Sequence, residues 1–363
     1  MLCITGLPLI FHDEIAHWDD PAKEKPTMVA GFPWTYLDAV VADTQARHPD
    51  EALRFLSLDE DGTTVFVFLG LTASATENSA VLQYDAGTGS YIRDSPLQQG
   101  VMRVMFRLHV DLFAGVPGMF FLGGMGVLFL ISLISGVLIY GPFMRKLPFG
   151  TVRYDYGIRL RWLDLHNLLG IATFAWALVV GGTGVINTLA VPIFNQWQST
   201  EMASLLEPWR EKAAPNRRSS LQRAVSAAES YMPGKELAFV AFPGTSFAGA
   251  HHYGVYLRGK SPLTTRLITP VFIEVEKGAI SGAREMPWYV SVLKISQPLH
   301  FGDYGGLPLK IVWALLDVIT ILVLLAGLYL WWGKRHMPAE QALAESDPCG
   351  APASDELHQV VLQ

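Results

Sequence analysis

The chain has 363 residues, half of them hydrophobic and 17% charged, with a formal net charge of −6 and a mean hydropathy of +0.28. A soluble domain carries about 25% charge, so the composition points to a membrane protein, and the acidic balance excludes a basic nucleic-acid surface. Cys3 and Cys349 are the only cysteines and stand near opposite ends, which excludes a disulfide framework, a zinc knuckle and an iron–sulfur ligand set.

Residues 1–11 are apolar but short of the roughly 20 that a helix needs to cross the hydrocarbon core. No basic region precedes them and no small-residue cleavage site follows, so they do not read as a signal peptide. They read as the C-terminal part of a first transmembrane helix. Residues 12–100 have soluble character. Helical spacing over 36–47 ends before Pro49, and β-rich runs at 53–58 and 63–69 flank the turn signal Asp59-Glu-Asp-Gly62. A further hairpin is expected over 81–92, around Asp85-Ala-Gly-Thr-Gly89.

Residues 101–143 form the second span with its outer approach, and its apolar run covers 119–140. A basic loop, 144–161, leads to the third span at 162–189, with its apolar run at 168–189. Residues 190–298 form a second soluble unit, with a helix over 221–231 before Pro233 and strands at 237–242, 253–258 and 270–275. The fourth span with its approach covers 299–333, with its apolar run at 311–332, and 334–363 is a tail. Each apolar run has 22 residues, enough at about 1.5 Å per residue to cross a core of about 30 Å.

The chain repeats itself. His109 and His300, Gly115 and Gly306, Pro117 and Pro308, and Gly136 and Gly327 share one offset of 191. Leu37 and Leu221, Val41 and Val225, Pro49 and Pro233, Leu53 and Leu237, and Phe55 and Phe239 share an offset of 184. These matches indicate a duplication that includes the soluble parts. The expected fold class is therefore a membrane α-helical bundle of three full spans and a partial first one, with two small α+β domains. The 144–161 loop holds Arg145, Lys146, Arg153, Arg159 and Arg161 against a lone Asp155, and Lys334-Arg335 follow the last span. By the positive-inside rule these stretches are cytoplasmic, and both α+β domains are extracytoplasmic.

That orientation puts His109 and His300 at the outer ends of their spans and His166 at the inner end of the third. Neutral imidazole is a good iron ligand, and facing helices can hold haem between histidines. The repeated Leu-His pair could supply one bis-histidine site; the alternative is a pair of solvated interface anchors. From His109 to Arg145 is about 54 Å of straight helix, so His109 lies at or beyond the outer interface unless Pro117 redirects the chain. Arg103 and Arg107 pair either with haem propionates or with lipid headgroups. Asp317, inside the last span, is costly unless it faces protein. His251-His252, with Arg258, Lys260 and Arg266 nearby in sequence, reads as a solvated hairpin before it reads as an anion or metal contact. Neither a phosphate-binding glycine motif nor a catalytic Ser/His/Asp or His-Glu-x-x-His arrangement is present.

Several motifs resemble those of the PepSY-associated transmembrane family of bacterial inner-membrane proteins. They are Thr5-Gly-Leu-Pro-Leu-Ile-Phe-His-Asp-Glu14, Arg107-Leu-His109-x-Asp-Leu, Asp164-Leu-His166 with Gly170 and Thr183-Gly184, and Pro298-Leu-His300-Phe-Gly. The resemblance spans nearly the whole chain, and both soluble units resemble PepSY-like domains. Some family members are ferric-siderophore reductases with two b-type haems between four helices. The resemblance thus implies haem b held by His109, His166 and His300, a cytoplasmic electron donor and an extracytoplasmic ferric siderophore as electron acceptor. The rival is a non-redox membrane protein whose PepSY-like domains bind a peptide, protease or uptake partner. Gly184 follows His166 by 18 residues, and Gly6 is its counterpart in the first half. The counterpart of His166 is therefore expected upstream of Met1, in a fuller first span.

Overall fold

The structure, a computed structural model, describes residues 1–12, 14–15, 36–59, 62–95, 100–144, 148–213, 215, 217–261 and 264–335. Asp13, the turn residues Glu60 and Asp61, Lys260's neighbours 262–263, the loop cations Arg145 and Lys146, and the tail 336–363 with Cys349 lie outside the described residues. The fold divides into two units, Met1–Leu130 with Val179–Trp313, and Ile131–Leu178 with Ala314–Gln363.

The first unit contains the sheet. Helix α1 (Leu2–Ile10) is followed by α2 (Leu37–Arg47) and strands β1 (Ala52–Leu58), β2 (Thr64–Gly70), β3 (Ala80–Asp85) and β4 (Tyr91–Asp94). In the second half come α6 (Ala190–Trp197), a π turn (Gln198–Met202), α7 (Ala203–Leu206) and α8 (Leu221–Tyr231). Strands β5 (Lys235–Ala241), β6 (His252–Gly259), β7 (Ile268–Glu274) and β8 (Ile280–Ala283) follow. The sequence suggests two separate α+β domains, but the strands form one antiparallel sheet in the order β4-β3-β2-β1-β5-β6-β7-β8.

The seam between the halves explains the fusion. β1 and β5 pair through Phe55↔Ala241, Leu56↔Val240 and Ser57↔Phe239. At the offset of 184, Leu56 and Val240 are counterparts, and the flanking pairs exchange roles. The seam is thus a two-fold contact inside one chain, in which like edges meet as in an isologous dimer. Both strands also carry a bulge at matching places, between Leu53 and Phe55 and between Leu237 and Phe239. A strand whose unpaired edge invites pairing is here satisfied by its own duplicate.

Alternation along the strands loads the two faces differently. One face carries Leu56, Val240, Val255, Leu257, Val271 and Ile273 and packs with residues of α2 and α8. The other carries Tyr256 and Phe272 against Trp197, Met202 and Val290. α8 starts where the Ser220 side chain accepts from the Arg223 N–H, an N-cap bond of the usual kind.

Among the described residues three helices are long and apolar enough to cross a membrane: α4 (Val116–Met144), α5 (Ile158–Thr188) and α10 (Gly306–Arg335). They contain the three predicted apolar runs, except that α5 ends at Thr188. α5 begins ten residues before its run, which places His166 inside the helix. Before α4, helix α3 (Val101–Val110) ends at Asp111, and Leu112, Phe113 and Gly115 have φ of 54°, 61° and 64°. Before α10, helix α9 (Trp288–Phe301) ends at Gly302, and Gly302 and Gly306 have φ of 82° and 59°. The chain is therefore redirected by left-handed residues ahead of Pro117, not by that proline. Leu112 and Phe113 hold this conformation at a cost, since L side chains disfavour it; the Asp111 carboxylate accepts from the Phe113 N–H at 3.0 Å and steadies the turn.

Leu56 stands at the seam with no exposed surface, whereas Leu71 is 79% exposed. Leu56→Ala should destabilise the unit by about 2–5 kcal/mol, and Leu71→Ala by no more than about 0.5 kcal/mol. Denaturant unfolding of the detergent-solubilised protein, followed by tryptophan fluorescence, measures the difference.

Candidate functional site

The first unit brings together the two histidines that the duplication relates. α3 presents His109 and α9 presents His300; their ring centroids are 6.0 Å apart and the planes are inclined by 59°. Two imidazoles bound to opposite sides of one metal ion, with bonds of about 2.0 Å and about 1.2 Å from nitrogen to ring centre, have centroids about 6.4 Å apart. The observed separation suits such a pair.

Each ring is held at Nδ1. His300 Nδ1 lies 2.9 Å from the Val180 carbonyl and 3.3 Å from Thr183 Oγ1. His109 Nδ1 lies 3.1 Å from Thr5 Oγ1, and the ring also hydrogen-bonds the Leu2 backbone. A carbonyl can only accept, so Nδ1 carries the proton and donates. Nε2 then keeps its lone pair, which is the form that binds a metal.

Glycines make the approach possible. A Cβ on Gly6 would come within 3.0 Å of His109 Cε1, and one on Gly184 within 3.1 Å of His300 Cε1. Leu2 and Gly6, like Val180 and Gly184, are four residues apart and so share a helix face. One turn of helix thus offers a carbonyl to the ring and, a turn later, a gap for it.

The second unit repeats the arrangement. His166 Nδ1 lies 2.9 Å from the Val323 carbonyl, and a Cβ on Gly327 would come within 3.2 Å of His166 Cε1. Beside this ring is a cavity of about 340 Å³ lined by Gly136, Tyr140, Thr151, Arg153, His166 and Gly327, among others. That volume lies within the usual range for small-molecule sites. Asp164 accepts three bonds from Arg153, at 2.9 Å from its backbone N–H and at 3.0 and 2.8 Å from its guanidinium. This pair ties the loop after residue 148 to the helix bearing His166.

Among the described residues no group of three or more histidine, cysteine or acidic side chains could hold a metal ion. His109 and His300 stand as a pair and His166 stands in the other unit. Residues 1–334 match the family described as the PepSY-associated TM region. The chain belongs to that family. It is also similar to an uncharacterized protein of Pseudomonas aeruginosa, 28% identical over 257 residues that make up 64% of this chain and 63% of that protein.

In this PepSY-associated TM protein the remaining residues singled out by sequence are placed as follows, and His252 is the one whose reading changes. Arg107 bonds Asp111 at 2.9 Å and lies over Phe113, its guanidinium 5.4 Å from the ring centre; Arg103 is exposed on α3. Asp317 is only 5% exposed, as a carboxylate inside a span must be if it faces protein. His252 belongs to no solvated hairpin: it lies in β6, buried, with Nε2 2.9 Å from Ser281 Oγ and its ring 4.7 Å from that of Trp209. Arg258 pairs with Glu236 at 2.9 Å.

Sequence reasoning missed Lys310. Its side chain, 7% exposed in the first turn of α10, lies 3.3 Å from Glu14 and 3.6 Å from Asp303. A lysine at the head of an apolar run, with acids on both flanking approaches, was the available signal.

Burial, and then the neighbouring His251 and Lys212, push His252 down from 6.5 to about 4. Between those values the unfolded chain binds the proton that the folded chain refuses, so stability rises with pH there and is level above about 6.5. From pH 7 to pH 5 this group alone should remove about 2 kcal/mol. Unfolding titrations at both pH values should show that loss in the parent protein and a smaller one in His252→Asn.

Proposed function

We propose that this membrane protein is a b-type haem protein of the bacterial inner membrane that passes electrons outward to reduce a ferric siderophore or similar ferric chelate. The observation that carries the reading is the His109/His300 pair: two counterpart imidazoles with centroids 6.0 Å apart, each ring held at Nδ1. His109 and His300 would hold one haem, and His166, beside its cavity, would contribute to a second. When bound, haem supplies a one-electron couple in apolar surroundings, tuned by its axial ligands and their hydrogen bonds.

The residues' own part is to orient and insulate. The Leu2 and Val180 carbonyls fix the rings, and Gly6 and Gly184 admit them; Arg103, exposed on α3, would serve propionates or lipid headgroups. Five cations against one acid over 144–161 favour a cytoplasmic position for that loop, where the electron donor would act, and an extracytoplasmic position for the sheet. At the outer face the ferric ion accepts one electron and becomes ferrous; hard oxygen ligands of a siderophore bind the ferrous ion less tightly, and iron is released.

The purified protein, expressed with haem supply, should be red, with a Soret band that shifts on dithionite and returns when a ferric siderophore is added. A colourless protein would favour the non-redox reading, in which the sheet serves a peptide, protease or uptake partner.

A further inference from the structure

We propose that Thr5 and Thr183 are positioning residues that hold His109 and His300 as Nδ1–H tautomers, and that His166 is held without such a hydroxyl. The inference deepens the haem reading and rests on it for its ligand, but the tautomer itself does not need a ligand.

One proton decides the roles of the two oxygens. Thr5 Oγ1 lies 3.2 Å from both the Met1 and Leu2 carbonyls. Thr183 Oγ1 lies 2.7 Å from the Val179 carbonyl and 3.1 Å from that of Val180. A hydroxyl has one proton, and the carbonyls can only accept it. With that proton directed into its own helix, the threonine oxygen is left as an acceptor. The ring nitrogen facing it must then donate: His109 Nδ1 at 3.1 Å and His300 Nδ1 at 3.3 Å.

Back-bonding by a mid-helix threonine is common and is no sign of function alone. Thr173 and Thr320 bond their own helices in the same way, at 3.0 and 2.8 Å, and meet no histidine among the described residues. What sets Thr5 and Thr183 apart is a histidine brought from another helix onto the same oxygen. Both stand one residue before the glycine that admits the ring. At the equivalent place before Gly327 stands Ala326, so His166 relies on the Val323 carbonyl alone for this bond. The outer pair is therefore doubly held and the third histidine singly held.

Outer-sphere partners of a metal-bound histidine set its tautomer and basicity, and their loss weakens binding about 10- to 100-fold. The test uses the full chain in detergent, labelled with ¹⁵N-histidine and free of haem, with ring signals assigned through His109→Gln, His300→Gln and His166→Gln. In the parent protein His109 and His300 should show Nδ1 protonated and Nε2 bare. Thr5→Val should shift His109, and Thr183→Val His300, toward a mixture of tautomers, with His166 unchanged. Haemin titration should show affinity at the paired site about tenfold weaker in each valine variant. Thr5→Ser and Thr183→Ser should restore both readouts, separating loss of the hydroxyl from loss of fold. Nε2–H rings in the parent protein, or valine variants matching the parent in tautomer and affinity, would overturn the proposal. If the parent binds no haemin, the haem reading fails, and the tautomer measurement alone decides the role of the threonines.

Discussion

An imidazole in apolar surroundings must place one N–H and may leave one lone pair, and the candidate sites depend on that condition. An unsatisfied buried donor costs about 1–3 kcal/mol, so each ring needs an acceptor within reach of its N–H. The neighbouring helix supplies it, one carbonyl per histidine, at Leu2, Val180 and Val323. Four residues after each of these stands a glycine that gives the ring room. Helix geometry makes the carbonyl and the gap a single device, because residues four apart share a face. The same bond that anchors Nδ1 leaves Nε2 as the atom for chemistry.

The duplication gives this device its symmetry, and the sheet seam shows that the symmetry is physical. Leu56 pairs with its own counterpart Val240, and the bulges at Leu53/Phe55 and Leu237/Phe239 match. The halves differ where charge enters. The buried Lys310 forms an ion cluster with the partly exposed Asp303 and Glu14 at the start of α10, whereas the counterparts of Lys310 and Asp303 at the offset of 191 are Met119 and Leu112. Leu112 takes part in the strained left-handed turn instead. Both approaches turn through left-handed residues; the second adds the Lys310 ion cluster, and the first carries side chains, Leu112 and Phe113, in that conformation.

Much of this was legible because it is periodic or repeated. Apolar runs located α4, α5 and α10, alternation located β1, β2 and β5 to β7, and Pro49 and Pro233 marked the ends of α2 and α8. The shared offset singled out His109 and His300, and the structure places them side by side. What stayed hidden depends on contacts distant in sequence. No local pattern says that β1 pairs with β5, so two domains were expected where one sheet forms. His252 reads as polar and exposed beside His251, yet strand alternation turns it inward against Trp209. The carbonyl acceptors are invisible in the sequence because any residue can supply a carbonyl; only the glycine four residues on leaves a trace, and a glycine serves close helix packing as well.

On the proposed haem reading, His109 and His300 would bind one and the same iron. Electron paramagnetic resonance of the ferric protein tests it most directly, with the parent compared with His109→Ala and His300→Ala. A shared iron gives a low-spin bis-imidazole signal in the parent and loss of that same signal in both variants, while the signal of a second haem held by His166 would persist. Two variants that each remove a different signal, or that both keep the low-spin signal intact, would contradict it.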